Sequence, residues 1–150
     1  MENTEHRSER SDEVSAELAE LLTRASWRLK KNERKELTPF GLTFAQARAL
    51  RVLADAGTMR IGDLASLLEI VPRSATTRVD DLEEAGLVTR SMDPADRRSI
   101  LVSPTQQGRE LVARLTADRR ASAEALFAPL SAEEKAELLR LLRSITKDAS

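Results

Sequence analysis

Residues 71–102 read VPRSATTRVDDLEEAGLVTRSMDPADRRSILV, and this stretch decides the predicted fold. Its first half predicts a short helix over residues 72–84, because Ala75, Val79 and Leu82 recur at the spacing of one buried helical stripe. Pro72 suits the first helical turn, where its missing N–H is not needed, and Gly86 suits a helix stop.

The start of this helix carries basic and hydroxyl side chains, namely Arg73, Ser74, Thr76 and Thr77. A positive charge there gains nothing from the helix macrodipole, so stability alone does not favour the pattern. A helix that enters the major groove of DNA by its N-terminus does favour it, since these side chains would reach base edges and phosphates first. Hydroxyls are also common in first helical turns for local reasons. Arg78, at the edge of the buried stripe, fits a phosphate clamp and a packed surface arginine equally well.

The second half predicts a two-stranded hairpin. Two β-favouring runs, 87–91 and 99–102, flank a polar segment in which Asp93-Pro94 initiates a turn. Arg97 and Arg98 lie at the tip. Guanidinium groups on a thin β-loop suit a narrow minor groove, where the negative potential is enhanced. Taken alone these arginines could be an ordinary solvated turn, but together with the preceding helix they favour DNA binding.

Residues 64–108, LASLLEIVPRSATTRVDDLEEAGLVTRSMDPADRRSILVSPTQQG, resemble the winged helix-turn-helix of the MarR family of bacterial transcriptional regulators. The wing signature of that family matches Asp96-Arg97-Arg98, and the likeness extends upstream to LTFAQARALRVLADAG and covers residues 11–146. The resemblance implies an obligate homodimer that binds a pseudo-palindromic operator in double-stranded DNA and is often released by a small molecule. Two positions depart from the family pattern: Glu69 stands where glycine is common, and Val71 where serine or threonine is common.

The predicted fold is mainly α with a small β-wing. We expect a disordered segment at 1–10, a winged helix-turn-helix lobe at 37–103, and helices at 11–36 and 104–147 that form a dimerisation region. Capping-box patterns predict helix starts after Thr43 and Ser131, and residues 58–60 could add a third strand. The apolar stripes of the terminal helices need partners, which a symmetric dimer would supply.

Composition limits the chemistry. The 150 residues include no cysteine and a single histidine, His6, so we expect no disulfide, no catalytic residue, no metal site and no cofactor. No apolar run is long enough for a signal peptide or a membrane span, which predicts a cytoplasmic protein without a membrane partner. The net charge of −1 argues against a general polyanion binder and favours a local basic patch that would include Arg90.

Three further residues carry hypotheses. Asp80 faces outward among the DNA contacts, and because an acid near this position in the resembling family can pair with a wing arginine, we hypothesise an Asp80–Arg98 link that orients the wing. An ordinary exposed acid is the alternative. Trp27 and Arg28 lie on the first helix, which in that family borders an effector pocket, and would suit a small aromatic or anionic effector. Packing of Trp27 and a surface role for Arg28 are the alternatives.

The sequence thus predicts a sequence-specific DNA-binding transcriptional regulator, a repressor, acting as a homodimer. The competing interpretation is a winged-helix protein-interaction module without operator binding, which the acidic residues 80, 81, 83 and 84 would favour.

Overall fold

The computed structural model describes the backbone of residues 2–146 and the side chains of residues 11–146. Its helices are α1 (Glu2–Leu37), α2 (Phe44–Ala56), α3 (Ile61–Leu68), α4 (Pro72–Glu84), α5 (Gln106–Phe127) and α6 (Ala132–Thr146). Its strands are β1 (Met59–Arg60), β2 (Val88–Met92) and β3 (Ile100–Pro104), and a short 3-10 helix spans Thr38–Phe40. The predicted class, mainly helical with a small β-wing, is confirmed.

α1 begins at Glu2, inside the segment 1–10 for which the sequence predicts disorder. This segment contains neither proline nor glycine and is rich in Glu and Arg, which lose little side-chain freedom in a helix. The polarity of this segment favours disorder, whereas its composition is compatible with a helix. Met1 lies outside the described residues.

The chain divides into two compact units. The winged unit comprises residues 31–119, and the terminal unit comprises residues 1–30 and 120–150. The winged unit is wider than the 37–103 expected from the sequence. The reason lies in its core, where Leu37 at the end of α1 and Leu111 and Leu115 of α5 are fully buried.

The core of the winged unit is built from aliphatic side chains. Its largest buried members come from all its helices and from the sheet: Leu37, Leu50, Leu53, Leu64, Leu68, Val79, Leu82, Leu87, Val102, Leu111 and Leu115. The stripe predicted for residues 72–84 is confirmed, since Ala75, Val79 and Leu82 are the buried residues of α4. Burying one such side chain stabilises a fold by roughly 1.5–3 kcal/mol.

The sheet has the order β1-β3-β2, and both pairings are antiparallel. The third strand expected at 58–60 is present, with Met59 opposite Val102. Gly108 fixes α5 against the start of the wing, because a Cβ there would lie 2.1 Å from the carbonyl oxygen of Leu87. The helix therefore packs so closely on the base of the wing that position 108 has no room for a side chain.

Side-chain caps fix two helix starts, as predicted. The Thr43 hydroxyl accepts from the Gln46 backbone N–H, and the Gln46 side chain accepts from the Thr43 backbone N–H. The amide nitrogen of Gln46 also donates to an Asp81 carboxylate oxygen at 2.5 Å, which ties the start of α2 to α4. Ser131 and Glu134 form the equivalent pair of bonds at α6.

The terminal unit has no buried residue among 11–30 and 120–146. Large apolar side chains on α1 and α6 are exposed, namely Val14, Leu18, Leu21, Leu22, Leu139, Leu141 and Ile145. Within the described part of the chain, none of the helices combines the length and apolar character needed to cross a membrane.

Candidate nucleic-acid interface

The turn between α3 and α4 sets the direction of α4. Glu69 ends α3 in the left-handed conformation, with φ of 56° and ψ of 44°, so this non-glycine residue carries the turn that glycine usually makes. Val71 precedes α4 in an extended conformation and makes no side-chain capping bond. The start of α4 therefore has backbone N–H groups without a side-chain acceptor, next to Arg73.

The candidate contacts on α4 are accessible to different degrees. Arg73, Thr76 and Thr77 are exposed, whereas Ser74 and Arg78 are half-buried. The Thr76 hydroxyl donates to the Pro72 carbonyl at 3.1 Å, and the Thr77 hydroxyl to the Arg73 carbonyl at 3.2 Å. With their protons directed back along the helix, both oxygens present lone pairs outward, where they could accept from the amino groups of bases.

The turn of the wing, residues 93–99, is held by its two aspartates. Asp93 accepts from the Ala95 backbone N–H at 2.9 Å, and Asp96 accepts from the Arg98 backbone N–H at 3.1 Å and from the Ser99 hydroxyl at 2.8 Å. Bonds to Ser99 and to the Arg98 backbone N–H keep the pKa of Asp96 below its ordinary value. Asp96 thus shapes the turn and does not face DNA as a free acid.

Arg60 of β1 anchors this turn from the far edge of the sheet. Its Nη2 and Nε donate to one Asp93 carboxylate oxygen at 2.6 and 3.1 Å, and Asp93 is 7% exposed. The Arg60 guanidinium, together with the Ala95 N–H, lowers the pKa of the Asp93 carboxyl. The sequence predicts Asp93 only as the start of a turn, and it gives no signal for Arg60.

The anchored turn presents Arg97 and Arg98, hereafter the apex arginines. Both side chains are exposed. Within residues 11–146, neither guanidinium has an ion-pair partner, in contrast to Arg60 and Arg90. Their charges are therefore available to an external anion.

The hypothesised Asp80–Arg98 link is corrected by the structure. Arg90 of β2 donates to an Asp80 oxygen at 2.5 Å and also to Glu83, so the Asp80 carboxylate faces the strand of the wing and not its tip. Burial alone would lower the pKa of the Arg90 guanidinium, but these two bonds outweigh burial and raise it. Arg90, expected in the basic patch, is thus engaged inside the winged unit.

Trp27 and Arg28, the candidate effector contacts, lie on α1 in the terminal unit. Both are exposed, and the Trp27 side chain keeps 58% of its surface accessible. They are neighbours in the chain and belong to a different unit from the α4 and wing residues.

A surface cavity of about 380 Å³ lies within the winged unit, beside the end of α4. It is lined by Phe40, Gly41, Leu42, Gln46, Asp81, Glu84 and Ala85. Its charged lining residues are acids, so the cavity disfavours an anionic ligand. Among the described side chains, no three His, Cys, Asp or Glu residues are grouped to hold a metal ion.

Comparison with known proteins places this geometry in a family. The sequence model that describes the MarR family matches residues 42–100 of this chain. HTH-type transcriptional repressor Rv2887 of Mycobacterium tuberculosis is 31% identical over 133 residues, which cover 89% of this chain and 96% of that protein. The uncharacterized HTH-type transcriptional regulator Mb0904 of Mycobacterium bovis is 36% identical over 135 residues, covering 90% of this chain and 89% of that protein.

Solved structures agree. A MarR family protein from Bacillus stearothermophilus has a TM-score of 0.71 at 25% identity, with 92% of this chain and 96% of that chain covered. The YusO protein from Bacillus subtilis has a TM-score of 0.77 at 23% identity, with coverage of 94% and 97%, and shows the shared fold. With its helix-turn-helix, its wing and these relatives, the chain belongs to the MarR family of transcriptional regulators, and its function is regulation and not enzymatic catalysis.

Proposed function

We propose that this regulator is a homodimeric repressor that binds a pseudo-palindromic operator in double-stranded DNA. The observation that carries the proposal is the contrast in charge within the winged unit. The apex arginines are exposed and unpaired among the described residues, whereas the acids around them are bonded to Arg60, Arg90 and Ser99. A surface with free cations and satisfied acids attracts a polyanion.

In this proposal each subunit contacts two grooves. The start of α4 enters the major groove with Arg73, Ser74, Thr76, Thr77 and Arg78. The apex arginines enter the adjacent minor groove, where narrow A·T-rich segments hold arginine best. Asp80 keeps its proposed role in orienting the wing, with Arg90 as its partner. Two copies of α4 would contact successive major grooves about 34–36 Å apart.

We base the proposed dimer on the exposed apolar side chains of the terminal unit. Exposed leucines on α1, such as Leu18 and Leu22, and on α6, such as Leu141, form apolar surface that a second copy of the same unit would cover. Because operator half-sites repeat with two-fold symmetry, a two-fold dimer matches the target. A target on the chromosome places the protein in the cytoplasm.

The most specific part of the proposal is a small-molecule effector that releases the protein from DNA. Exposed Trp27 beside Arg28 offers an aromatic plate and a cation to an aromatic carboxylate. Titration with a panel of aromatic acids should quench Trp27 fluorescence and weaken DNA binding in parallel. Arg28→Ala should abolish both effects, and a titration without quenching removes this pair as the effector site.

The decisive experiment on function is capture of sheared chromosomal fragments by the purified protein, followed by gel retardation of each captured fragment. We expect retardation of fragments with an inverted repeat and none with the scrambled repeat. Thr77→Ala should relax the base preference and retain most of the affinity. A protein that captures no fragment would instead support the protein-interaction alternative, although three of its four acids are bonded to Arg90 or Gln46.

A further inference from the structure

The wing carries an exposed apolar pair that neither the core nor the apex arginines account for. Met92 ends β2 and Ile100 begins β3, and the two are directly opposite in the register. Met92 is 66% exposed and Ile100 is 42% exposed. Neighbouring positions on the other face of β2 are Thr89 and Ser91, so the exposed part of this strand is otherwise polar.

The face of the sheet that bears the pair can be assigned from the register. Side chains alternate between faces along a strand, so Met92, Arg90 and Val88 share one face, with Ile100, Val102 and Pro104 opposite them. Val88 and Val102 are buried against the helices. The Met92–Ile100 pair is therefore the outer continuation of the face that packs on the helices.

The position of the pair along the wing follows from Arg90. Arg90 reaches α4 through Asp80 and Glu83, and Met92 lies two residues farther along the same face, roughly 7 Å toward the apex. The pair thus lies between the helix proposed for the major groove and the arginines proposed for the minor groove. A wing that joins two adjacent grooves must cross the sugar–phosphate backbone between them.

We infer that the Met92–Ile100 pair is a contact surface for the deoxyribose edge of the operator backbone, packed against sugar C–H groups where the wing crosses from one groove to the next. This inference rests on the proposed DNA binding. Charge complementarity supports it, because the pair is followed at once by the apex arginines, while Asp93 and Asp96 are held by Arg60 and Ser99. Asp93 is neutralised by Arg60, and Asp96, which keeps its charge, is bonded within the turn. The apolar pair thus has the two apex cations on its outer border, which matches sugars bordered by phosphates.

The test compares three variants by operator affinity over a series of salt concentrations. Met92→Thr plus Ile100→Thr should weaken binding by about tenfold, from the apolar area left unburied. The slope of log affinity against log salt should stay at the wild-type value, because sugar contacts release no counterions. Arg97→Ala plus Arg98→Ala should lower that slope. Leu101→Thr, a half-buried residue on the opposite face of the same hairpin, is the matched control and should change affinity less than twofold.

Three results would overturn the inference. One is unchanged affinity in the Met92/Ile100 double variant. Another is an equal loss in Leu101→Thr, which would indicate general loosening of the wing. The third is a shift in subunit stoichiometry with unchanged affinity, which would assign the pair to a second copy. If the wild-type protein retards no fragment, the proposed function itself fails. If Arg97→Ala plus Arg98→Ala weakens binding but Met92→Thr plus Ile100→Thr leaves the affinity unchanged, only this inference fails.

Discussion

The two units of this chain differ in how far they bury their apolar side chains. In the winged unit, leucines and valines from five helices and the sheet are fully buried, and polar side chains are bonded across elements, as Arg51 is to Glu33 and Arg114 is to Glu36. In the terminal unit none of the residues 11–30 and 120–146 is buried, and several leucines of α1 and α6 are exposed, among them Leu18, Leu22 and Leu141. One unit thus has a buried core of its own, whereas the other leaves apolar surface exposed, which the proposed dimer would cover.

This difference separates recognition from assembly. The residues proposed to contact DNA lie on the self-contained unit, so a single subunit should carry a complete half-site surface. The apolar surface of the other unit should decide whether two such surfaces act together. Changes in the two units should therefore affect DNA binding by different routes.

The largest effect is expected in the terminal unit. Leu18→Asp plus Leu22→Asp places charges on the exposed stripe of α1 and should yield monomers by light scattering, because two carboxylates cannot be covered by an apolar partner surface. Operator affinity should fall by about 10² to 10⁴-fold, as expected when two half-sites no longer bind together.

The control for this change is Leu67→Asp, an equally exposed leucine in α3 of the winged unit. It should leave the protein dimeric. Monomers that keep wild-type operator affinity would contradict the division of roles between the two units.

A smaller loss is expected at the apex of the wing. Arg97→Ala plus Arg98→Ala should weaken binding to operator and scrambled DNA alike, by roughly 10 to 50-fold at low salt, because the phosphate charge is common to all sequences. The salt slope should fall by about two, one for each lost cation. The dimer should persist, and an unchanged slope would refute the assignment of these arginines.

Loss of the ion pairs that Arg90 makes with Asp80 and Glu83 should have a more moderate effect. Arg90→Ala releases Asp80 and Glu83 beside the DNA surface, and we expect roughly tenfold weaker operator binding from their repulsion of phosphate. Adding Asp80→Asn and Glu83→Gln removes the charges and should recover most of this loss. Equal affinity of wild type and Arg90→Ala would show that Arg90 does not shield these two acids from DNA.

The smallest effect concerns stability alone. Glu69→Gly should raise the free energy of unfolding by about 0.5–1 kcal/mol, because glycine adopts φ of 56° without the penalty of a Cβ. Urea unfolding measures it, with Glu69→Ala as the control that keeps the Cβ and should show no gain. Identical midpoints for the two variants would mean that the turn carries no strain.

What the sequence could predict was local. The helix at 72–84 follows from apolar spacing and a proline start, and the capping boxes at Thr43 and Ser131 are complete within four residues. The hairpin and its third strand follow from β-favouring runs and the Asp-Pro turn. Each of these signals depends on residues that are close in the chain.

What the sequence could not predict depends on partners brought together by the fold. Arg60 and Asp93 are 33 positions apart, and Arg90 was expected to face DNA because nothing in its neighbourhood predicts that Asp80 and Glu83 meet it. The Asp80–Arg98 hypothesis was wrong for the same reason. The hairpin carries three arginines, at positions 90, 97 and 98, and only the packing of the strands decides that Arg90 faces Asp80. At residues 2–10 two local signals conflict, since polarity favours disorder and composition favours the helix that begins at Glu2.

Hydroxyl-radical footprinting of a captured operator tests the central claim. According to this claim, the winged unit contacts DNA and the terminal unit brings two winged units together. We predict two protected half-sites centred about 10–10.5 base pairs apart, or a multiple of that spacing, each flanked by minor-groove protection that disappears in Arg97→Ala plus Arg98→Ala. The Leu18→Asp plus Leu22→Asp protein should protect neither half-site at the concentration that saturates wild type. Full protection by that monomer, or a single protected half-site with the wild-type dimer, would contradict the account.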